Sequence, residues 1–143
     1  SLFIGFESLN QENLNQVGKK FVKASKNADR IKRIQDHGIG ILGSFIVGLD
    51  HDDDSVFDDL YRFITDVRME AFMISVLTPF PGTHMTRRMD AEGRILSKDW
   101  RKYDMSTVVY QPRNFTPEQL QDRYDELNRS LYSLPSIVRK TCI

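Results

Sequence analysis

Residues Ile39–Leu49, IGILGSFIVGL, form a continuous apolar stretch without a charged side chain. Its hydrophobic residues do not alternate with polar ones, which is typical of a strand buried on both faces in a parallel sheet covered by helices. Four β-branched residues favour a strand over a helix: Ile39, Ile41, Ile46 and Val47. The uncharged run Gly38–Leu49 has 12 residues, too few to cross a bilayer. We therefore predict a buried strand here and no membrane span.

Apolar segments on either side of this strand extend the pattern to an alternating α/β chain. Leu2–Phe6 and Ala71–Leu77 are predicted as strands, and stretches with helical spacing lie between the strands. This alternation implies parallel strands joined by right-handed crossovers. The segment TPEQL (residues 116–120) has the residues of a capping box, so we expect a C-terminal helix through Leu131 that Pro135 closes. Three strands would form an open fragment of a barrel or a small layered sheet.

The composition excludes several classes of protein. At 143 residues the chain is about one domain long. Lys and Arg (20) balance Asp and Glu (20), so we expect no nucleic-acid partner and no attraction to an anionic membrane. The one cysteine, Cys142, excludes an internal disulfide and any metal centre that needs several thiolates from this chain.

The start of the chain indicates location and origin. No signal peptide opens it, because Glu7 follows a short apolar run that lacks a basic flank, so a cytoplasmic location is expected. The first residue is Ser1 rather than Met, and an apolar strand begins at the second residue. These features suggest a piece of a longer polypeptide.

Polar residues follow each predicted strand, at the carboxyl ends where α/β folds bind ligands. Glu7-Ser8 either contacts a ligand or caps the next helix. The run Asp50–Asp54 either holds Mg²⁺ or Ca²⁺ or stabilises the N-terminus of the next helix. Thr78–His84 contains two prolines and is predicted to be a rigid turn. Three histidines lack a nearby nucleophile and are predicted to be surface or capping residues: His37, His51 and His84.

Three segments, in this order, resemble the fourth, fifth and sixth strands of radical S-adenosylmethionine enzymes: LFIGFES (residues 2–8), SFIVGL (44–49) and LTPFPGT (77–83). Three later segments, EGRIL (92–96), DWRKYD (99–104) and TPEQL (116–120), resemble the region after the barrel in one type of that superfamily. This type is the one associated with a cobalamin-binding domain. The resemblance covers most of the chain.

The resemblance implies a partial, TIM-like barrel of six strand–helix units. It assigns residues 1–93 to the last three units, a half barrel with three parallel strands and alternating helices, and residues 94–143 to a connector and C-terminal helical extension. In this family a CxxxCxxC motif holds a 4Fe–4S cluster that binds S-adenosylmethionine, whose reductive cleavage gives a 5′-deoxyadenosyl radical. The resemblance implies that the parent is an Fe–S oxidoreductase or a methyltransferase-like enzyme. The cysteine motif is absent here, so that parent would hold the cluster elsewhere, and the isolated chain is expected to be inactive.

By the same resemblance, this half of the barrel contacts S-adenosylmethionine. Glu7 and Ser8 are expected near the ribose or the methionine end. Five residues are expected around the adenine, the last two through backbone groups: Ile46, Val47, Gly48, Leu77 and Thr78. Asp50-His51-Asp52 replaces the family's usual Pro-Gly-Glu after the fifth strand, which weakens a role for that turn. Cobalamin is a further cofactor that the resemblance suggests for the parent.

The expected partners are the N-terminal half of the same polypeptide and a small-molecule substrate. One alternative is a non-enzymatic α/β interaction module that docks a partner on the apolar stripe Leu120–Leu131. A second is a Mg²⁺-dependent phosphoryl-transfer domain that uses the aspartate run, although no GxxxxGK[ST] phosphate loop is present. An exposed sheet edge at Leu2–Phe6 would also favour self-association.

Overall fold

A three-stranded parallel sheet forms the centre of the molecule. The computed structural model describes residues 1–134, so Pro135 and Cys142 lie outside the described residues. Strands β1 (Leu2–Glu7), β2 (Ile41–Val47) and β3 (Ala71–Val76) lie in the order β1-β2-β3, and both pairs are parallel. The predicted α/β architecture with parallel strands is therefore confirmed.

Five α-helices accompany the sheet within residues 1–134. Their bounds are Gln11–Gln16 (α1), Asn27–Gln35 (α2), Ser55–Asp66 (α3), His84–Ala91 (α4) and Pro117–Leu131 (α5). Helix α5 begins as predicted: the Thr116 side chain accepts the Gln119 backbone N–H, and the Gln119 side chain accepts the Thr116 backbone N–H. None of the helices within residues 1–134 is long and apolar enough to cross a membrane.

The two faces of the sheet differ in how fully they are covered. One face carries Phe45 and Val47, which are fully buried in a core shared with α2, α3 and α5. The opposite face carries Ile46, which is half-buried, together with Phe3 (64% exposed) and Met73 (41% exposed) on the neighbouring strands. The prediction that helices cover both faces therefore needs correction. Because the strands are added in one direction with right-handed crossovers, the crossover helices fall on the same side.

The two edges of the sheet also differ. The outer edge of β3 is covered by later segments: the Val76 N–H donates to the Met105 carbonyl, and the hydroxyls of Tyr124 and Tyr132 donate to the carbonyls of Ile74 and Phe72. No strand within residues 1–134 pairs with the outer edge of β1. This open edge lies where the sequence predicted an exposed one.

One hydrophobic core joins the sheet to the segment that follows α4. Tyr110 and Leu120 are fully buried in the same cluster as Phe45 and Val47. Ile95 and Tyr110 form an isolated antiparallel bridge within the connector. The division of the chain at residue 93 stays a prediction, and residues on both sides of it contribute to this core.

Candidate functional site

The carboxyl ends of the three strands bring the predicted site segments to one edge of the sheet. Strand β1 ends in an irregularity of its pairing with β2 between Gly5 and Glu7. Glu7 has a φ of 64°, a left-handed conformation that is uncommon for a residue other than glycine. Its carboxylate accepts a hydrogen bond from the Lys19 Nζ at 2.9 Å, and the same ammonium donates to the Gly5 carbonyl at 2.7 Å. Backbone strain of this kind concentrates at functional sites.

The absence of a side chain at Gly5 makes room for this ion pair. A Cβ atom placed on Gly5 would lie 2.6 Å from the Glu7 Oε1 and 3.3 Å from the Lys19 Nζ. Gly5 pairs with Ser44 in the register of the sheet and lies on the incompletely covered face. The Glu7–Lys19 pair therefore lies over that face, and both side chains are partly accessible.

A buried hydrogen-bond network connects the loop after β1 to the loop after β2. The Asn13 Nδ2 donates to the Asp52 Oδ1 at 2.6 Å and to the Ser8 Oγ at 3.4 Å. The Asp52 Oδ2 accepts the backbone N–H groups of Gly48 and Leu49 at 2.9 and 3.0 Å. Asp52 therefore fixes the conformation of the turn after β2.

Burial raises the pKa of Asp52 to about 6, although its backbone hydrogen bonds and Asn13 act in the opposite direction. Because the pKa in the folded state exceeds that of a free carboxyl, the folded protein binds more protons between about pH 4 and pH 6. We predict that the contribution of Asp52 to the free energy of unfolding falls by about 2–3 kcal/mol as the pH rises from 4 to 7. Urea unfolding of the wild type and of Asp52→Asn at both pH values measures this difference.

The exposed Asp66→Asn variant is the control for the loss of one carboxyl group. Equal pH dependence in the wild type and in Asp52→Asn would contradict the prediction.

The backbone of Gly48 is engaged by protein groups. Its N–H is bound by Asp52, and its carbonyl accepts the Tyr110 hydroxyl. Gly48 has a φ of 88°, and a Cβ there would collide with the Tyr110 Oη and lie 2.7 Å from the Leu120 Cδ2. Glycine is required at this turn for its conformation and for the close approach of Tyr110.

The predicted site residues divide into accessible and buried groups. Glu7, Ile46 and Thr78 are half-buried at the strand ends. Four others are buried: Ser8, Val47, Gly48 and Leu77. The Leu77 N–H donates to the Val47 carbonyl at 2.9 Å, so the ends of β2 and β3 are joined. The assignment of these seven residues to S-adenosylmethionine stays a prediction.

Asp50 is the centre of an ion-pair cluster that links the loop after β2 to α1, to α4 and to the connector after α4. Its Oδ1 accepts from the Arg94 Nη2 at 2.9 Å. Its Oδ2 accepts from the Arg88 Nη2 at 2.8 Å and the Gln16 Nε2 at 2.7 Å. Burial raises the pKa of Asp50, but the hydrogen bonds from Arg94 and Gln16 and the charges of Arg94 and Arg88 outweigh it and hold the pKa below its usual value. Asp50 is therefore a charged structural residue.

The remaining aspartates of the run are also engaged by protein groups. Asp53 accepts the Ser55 N–H near the start of α3, and Asp54 pairs with Arg123 at 2.8 Å. Between residues 1 and 134 no group of three or more acidic, histidine or cysteine side chains could hold a metal ion. The His51 Nδ1 lies 3.2 Å from the Glu12 Oε2, and the His37 Nδ1 lies 2.7 Å from the Arg33 carbonyl oxygen.

Sequence reasoning missed the residues that complete these networks. Lys19, Asn13 and Arg94 reach their partners from 12, 39 and 44 positions away along the chain. No local sequence motif predicts contacts between residues so far apart in the chain. Two features of the sequence point toward them. Glu7 is followed within 13 residues by Lys19 and Lys20, and the aspartate run is followed by many arginines later in the chain.

Comparison with known proteins shows what the chain is similar to. It is 34% identical over 137 residues to bacteriochlorophyllide d C-12(1)-methyltransferase of Chlorobaculum tepidum, across 96% of this chain and 30% of that protein. It is 25% identical over 136 residues to hopanoid C-2 methylase of Rhodopseudomonas palustris, across 87% of this chain and 26% of that protein.

A third relative, the anaerobic magnesium-protoporphyrin IX monomethyl ester cyclase of Cereibacter sphaeroides, is 26% identical over 119 residues. These residues are 83% of this chain and 19% of the cyclase. The chain thus spans 30% or less of the length of these relatives. It matches no protein-family model.

Proposed function

The chain belongs to the radical S-adenosylmethionine superfamily, and from this premise we propose that it is the second half of the barrel of a methyltransferase-type enzyme. The complete enzyme would cleave S-adenosylmethionine reductively to a 5′-deoxyadenosyl radical and act on a small-molecule substrate in the cytoplasm. The observation that carries the proposal is the common mouth of the parallel sheet, where the segments after β1, β2 and β3 meet. Ligands bind at this position in parallel α/β folds.

The 4Fe–4S cluster does not fit the residues of this chain. Cys142 is the one cysteine in the sequence, and residues 1–134 provide no group of three or more ligands for a metal. The cluster would therefore be held by the N-terminal half of the polypeptide. Cobalamin belongs to the proposal only through the type of enzyme that the sequence resembles.

The residues at the mouth do fit S-adenosylmethionine, which would supply the methionine and adenosyl groups when bound. The Glu7 carboxylate is held in place by Lys19, over a face of the sheet that Gly5 leaves clear. A carboxylate in this position can accept hydrogen bonds from ribose hydroxyls. Ile46 and Thr78 would provide apolar and backbone contacts to the adenine. The buried residues Ser8, Val47, Gly48 and Leu77 would hold the shape of the mouth.

The open edge of β1 supports the proposed partner. Later segments cover the outer edge of β3, whereas no strand within residues 1–134 pairs with the outer edge of β1. A further strand can therefore join the sheet only beside β1. The N-terminal half of the polypeptide would pair there and cover the face that carries Phe3 and Met73. Without that half, the chain would lack the cluster and would be inactive.

The test of this proposal is S-adenosylmethionine binding by the full-length protein, measured by calorimetry. Glu7→Gln is expected to weaken binding by about 10- to 100-fold, since hydrogen bonds to a charged group contribute about 1.5–3 kcal/mol. Glu118→Gln, at an exposed site in the first turn of α5, is the control. Equal affinity in both variants and the wild type would contradict a contact between Glu7 and the ligand, and an absence of binding by the wild type would contradict the function.

A further inference from the structure

The ion-pair cluster around Asp50 has a surplus of positive charge. We define the arginine cluster as the side chains of Arg88, Arg94 and Arg113 with their two acidic partners, Asp50 and Glu92. Arg88 and Arg94 pair with Asp50 as described above. Arg113 lies 3.3 Å from the Asp50 Oδ2 and 3.6 Å from the Glu92 Oε1. Three guanidinium groups thus share two carboxylates, and one positive charge is unbalanced within the cluster.

The cations of this cluster differ in their access to solvent. The side chain of Arg94 is 10% exposed, that of Arg88 is 31% exposed and that of Arg113 is 53% exposed. Asp50 lies beneath them with a side chain that is 5% exposed. The surplus charge therefore lies toward the surface, on Arg88 and Arg113, where a ligand can reach it.

The two outer arginines also have hydrogen-bond donors to spare. The Asp50 Oδ2 already accepts from Gln16 and Arg88, which uses its lone pairs. Within residues 1–134, Arg113 approaches the two carboxylates as ion pairs and makes no hydrogen bond to either. The buried Nε of Arg88 has no hydrogen-bond acceptor among these residues. Because that Nε atom is itself buried, an incoming group that accepts hydrogen bonds would bind the exposed N–H groups of Arg113 and the outer N–H groups of Arg88.

We propose that Arg88 and Arg113 form a subsite for a carboxylate group of the substrate. A guanidinium presents a planar fork of N–H donors that matches the two oxygens of a carboxylate. A group with a single negative charge would neutralise the cluster, whereas a phosphate dianion would leave it negative. The subsite lies beside Asp50, two residues beyond Gly48, at the end of the sheet where the proposed mouth is formed. The assignment of the carboxylate to a substrate rests on the proposed function, but carboxylate binding by the cluster does not.

The experiment uses the 143-residue chain labelled with ¹⁵N. Arginine Nε–Hε resonances are followed by NMR while sodium propionate replaces sodium chloride at constant ionic strength. We expect a saturable shift of the Arg113 and Arg88 resonances. Arg113→Gln is expected to weaken propionate binding at least about tenfold, and Arg113→Lys, which keeps the charge without the fork, should recover part of it. The control is Arg101→Gln, because the Arg101 side chain is 90% exposed and pairs with Asp99 away from the cluster.

Each outcome of the titrations decides a part of the proposal. A shift that is linear in propionate, or one that Arg113→Gln leaves unchanged, overturns the subsite. Tighter binding of inorganic phosphate than of propionate overturns the choice of a carboxylate. Displacement of propionate by S-adenosylmethionine from the full-length protein would show that the subsite binds the methionine carboxylate. It would overturn the assignment of the subsite to a substrate carboxylate. Propionate binding by a full-length protein that does not bind S-adenosylmethionine would keep the subsite and remove the proposed function.

Discussion

Replacing Asp50 with alanine is expected to lower the free energy of unfolding by about 3–5 kcal/mol, since removal of one partner from a buried ion pair leaves uncompensated charge. Asp50 is the acceptor that Arg88, Arg94 and Gln16 share. Without it, three guanidinium groups face one another with Glu92 as their remaining carboxylate. Arg94 cannot move to solvent easily, because its side chain is 10% exposed.

Urea unfolding at pH 7 measures this effect. The control is Asp90→Ala on α4, where the carboxylate pairs with Lys98 at 3.5 Å and both side chains are more than half exposed. An exposed pair of this kind contributes about 0–1 kcal/mol. A loss for Asp50→Ala as small as that of Asp90→Ala would show that the cluster is not a structural centre.

The pH dependence of the two buried aspartates should have opposite signs. The pKa of Asp50 lies below its unfolded value, so its contribution to stability is present above that value and is lost as the pH falls through the folded pKa. The raised pKa of Asp52 has the reverse effect, as described above. A single rule for the whole aspartate run would therefore fail, because Asp50 has arginine partners and Asp52 is surrounded by neutral donors.

Phe45→Ala is expected to cost about 3–5 kcal/mol of unfolding free energy, through lost burial and the cavity that remains. Phe45 is 0% exposed in the centre of β2. Its ring stacks on Phe6 with centroids 5.4 Å apart and meets the edge of Phe63 at 6.0 Å. These three rings join β1, β2 and α3, so the cavity would open between elements that cannot close it independently.

Chemical denaturation of Phe45→Ala and Phe45→Leu tests this contribution. Leucine keeps most of the volume, so its cost should be clearly smaller. Phe21→Ala is the matched control, since Phe21 is 82% exposed and its removal should leave the midpoint nearly unchanged. Equal midpoints for Phe45→Ala and Phe21→Ala would contradict the burial of β2.

The elements of the fold could be predicted because their signals are local. The apolar run around β2 is one continuous stretch of sequence, and the residues of the capping box at Thr116 lie three positions apart. The sequence of one strand does not show which face of the sheet the helices cover, because that depends on the order in which all three strands are added. Burial of β2 on both faces was therefore predicted too strongly.

The edge of the sheet that carries the candidate site could be predicted from the sequence, but the side-chain contacts at that edge could not. The sequence predicts that Glu7, Gly48 and Thr78 lie at the carboxyl ends of parallel strands, and in the structure the three strands end at the same edge of the sheet. The partners of Asp50 and Asp52 are determined by chain folding over dozens of residues. For the same reason, the aspartate run suggested a cation site or a helix cap, whereas Asp50 binds arginines.

In the proposed full-length enzyme, the unequal edges of the sheet would direct the N-terminal half to the side of β1. A newly added strand can hydrogen-bond beside β1, whereas tyrosine hydroxyls and the Met105 carbonyl occupy groups along the far side. If the proposed N-terminal half pairs there, two polypeptides divided ahead of β1 and produced separately would recombine in one orientation. Such complementation would make the gene divisible at this position.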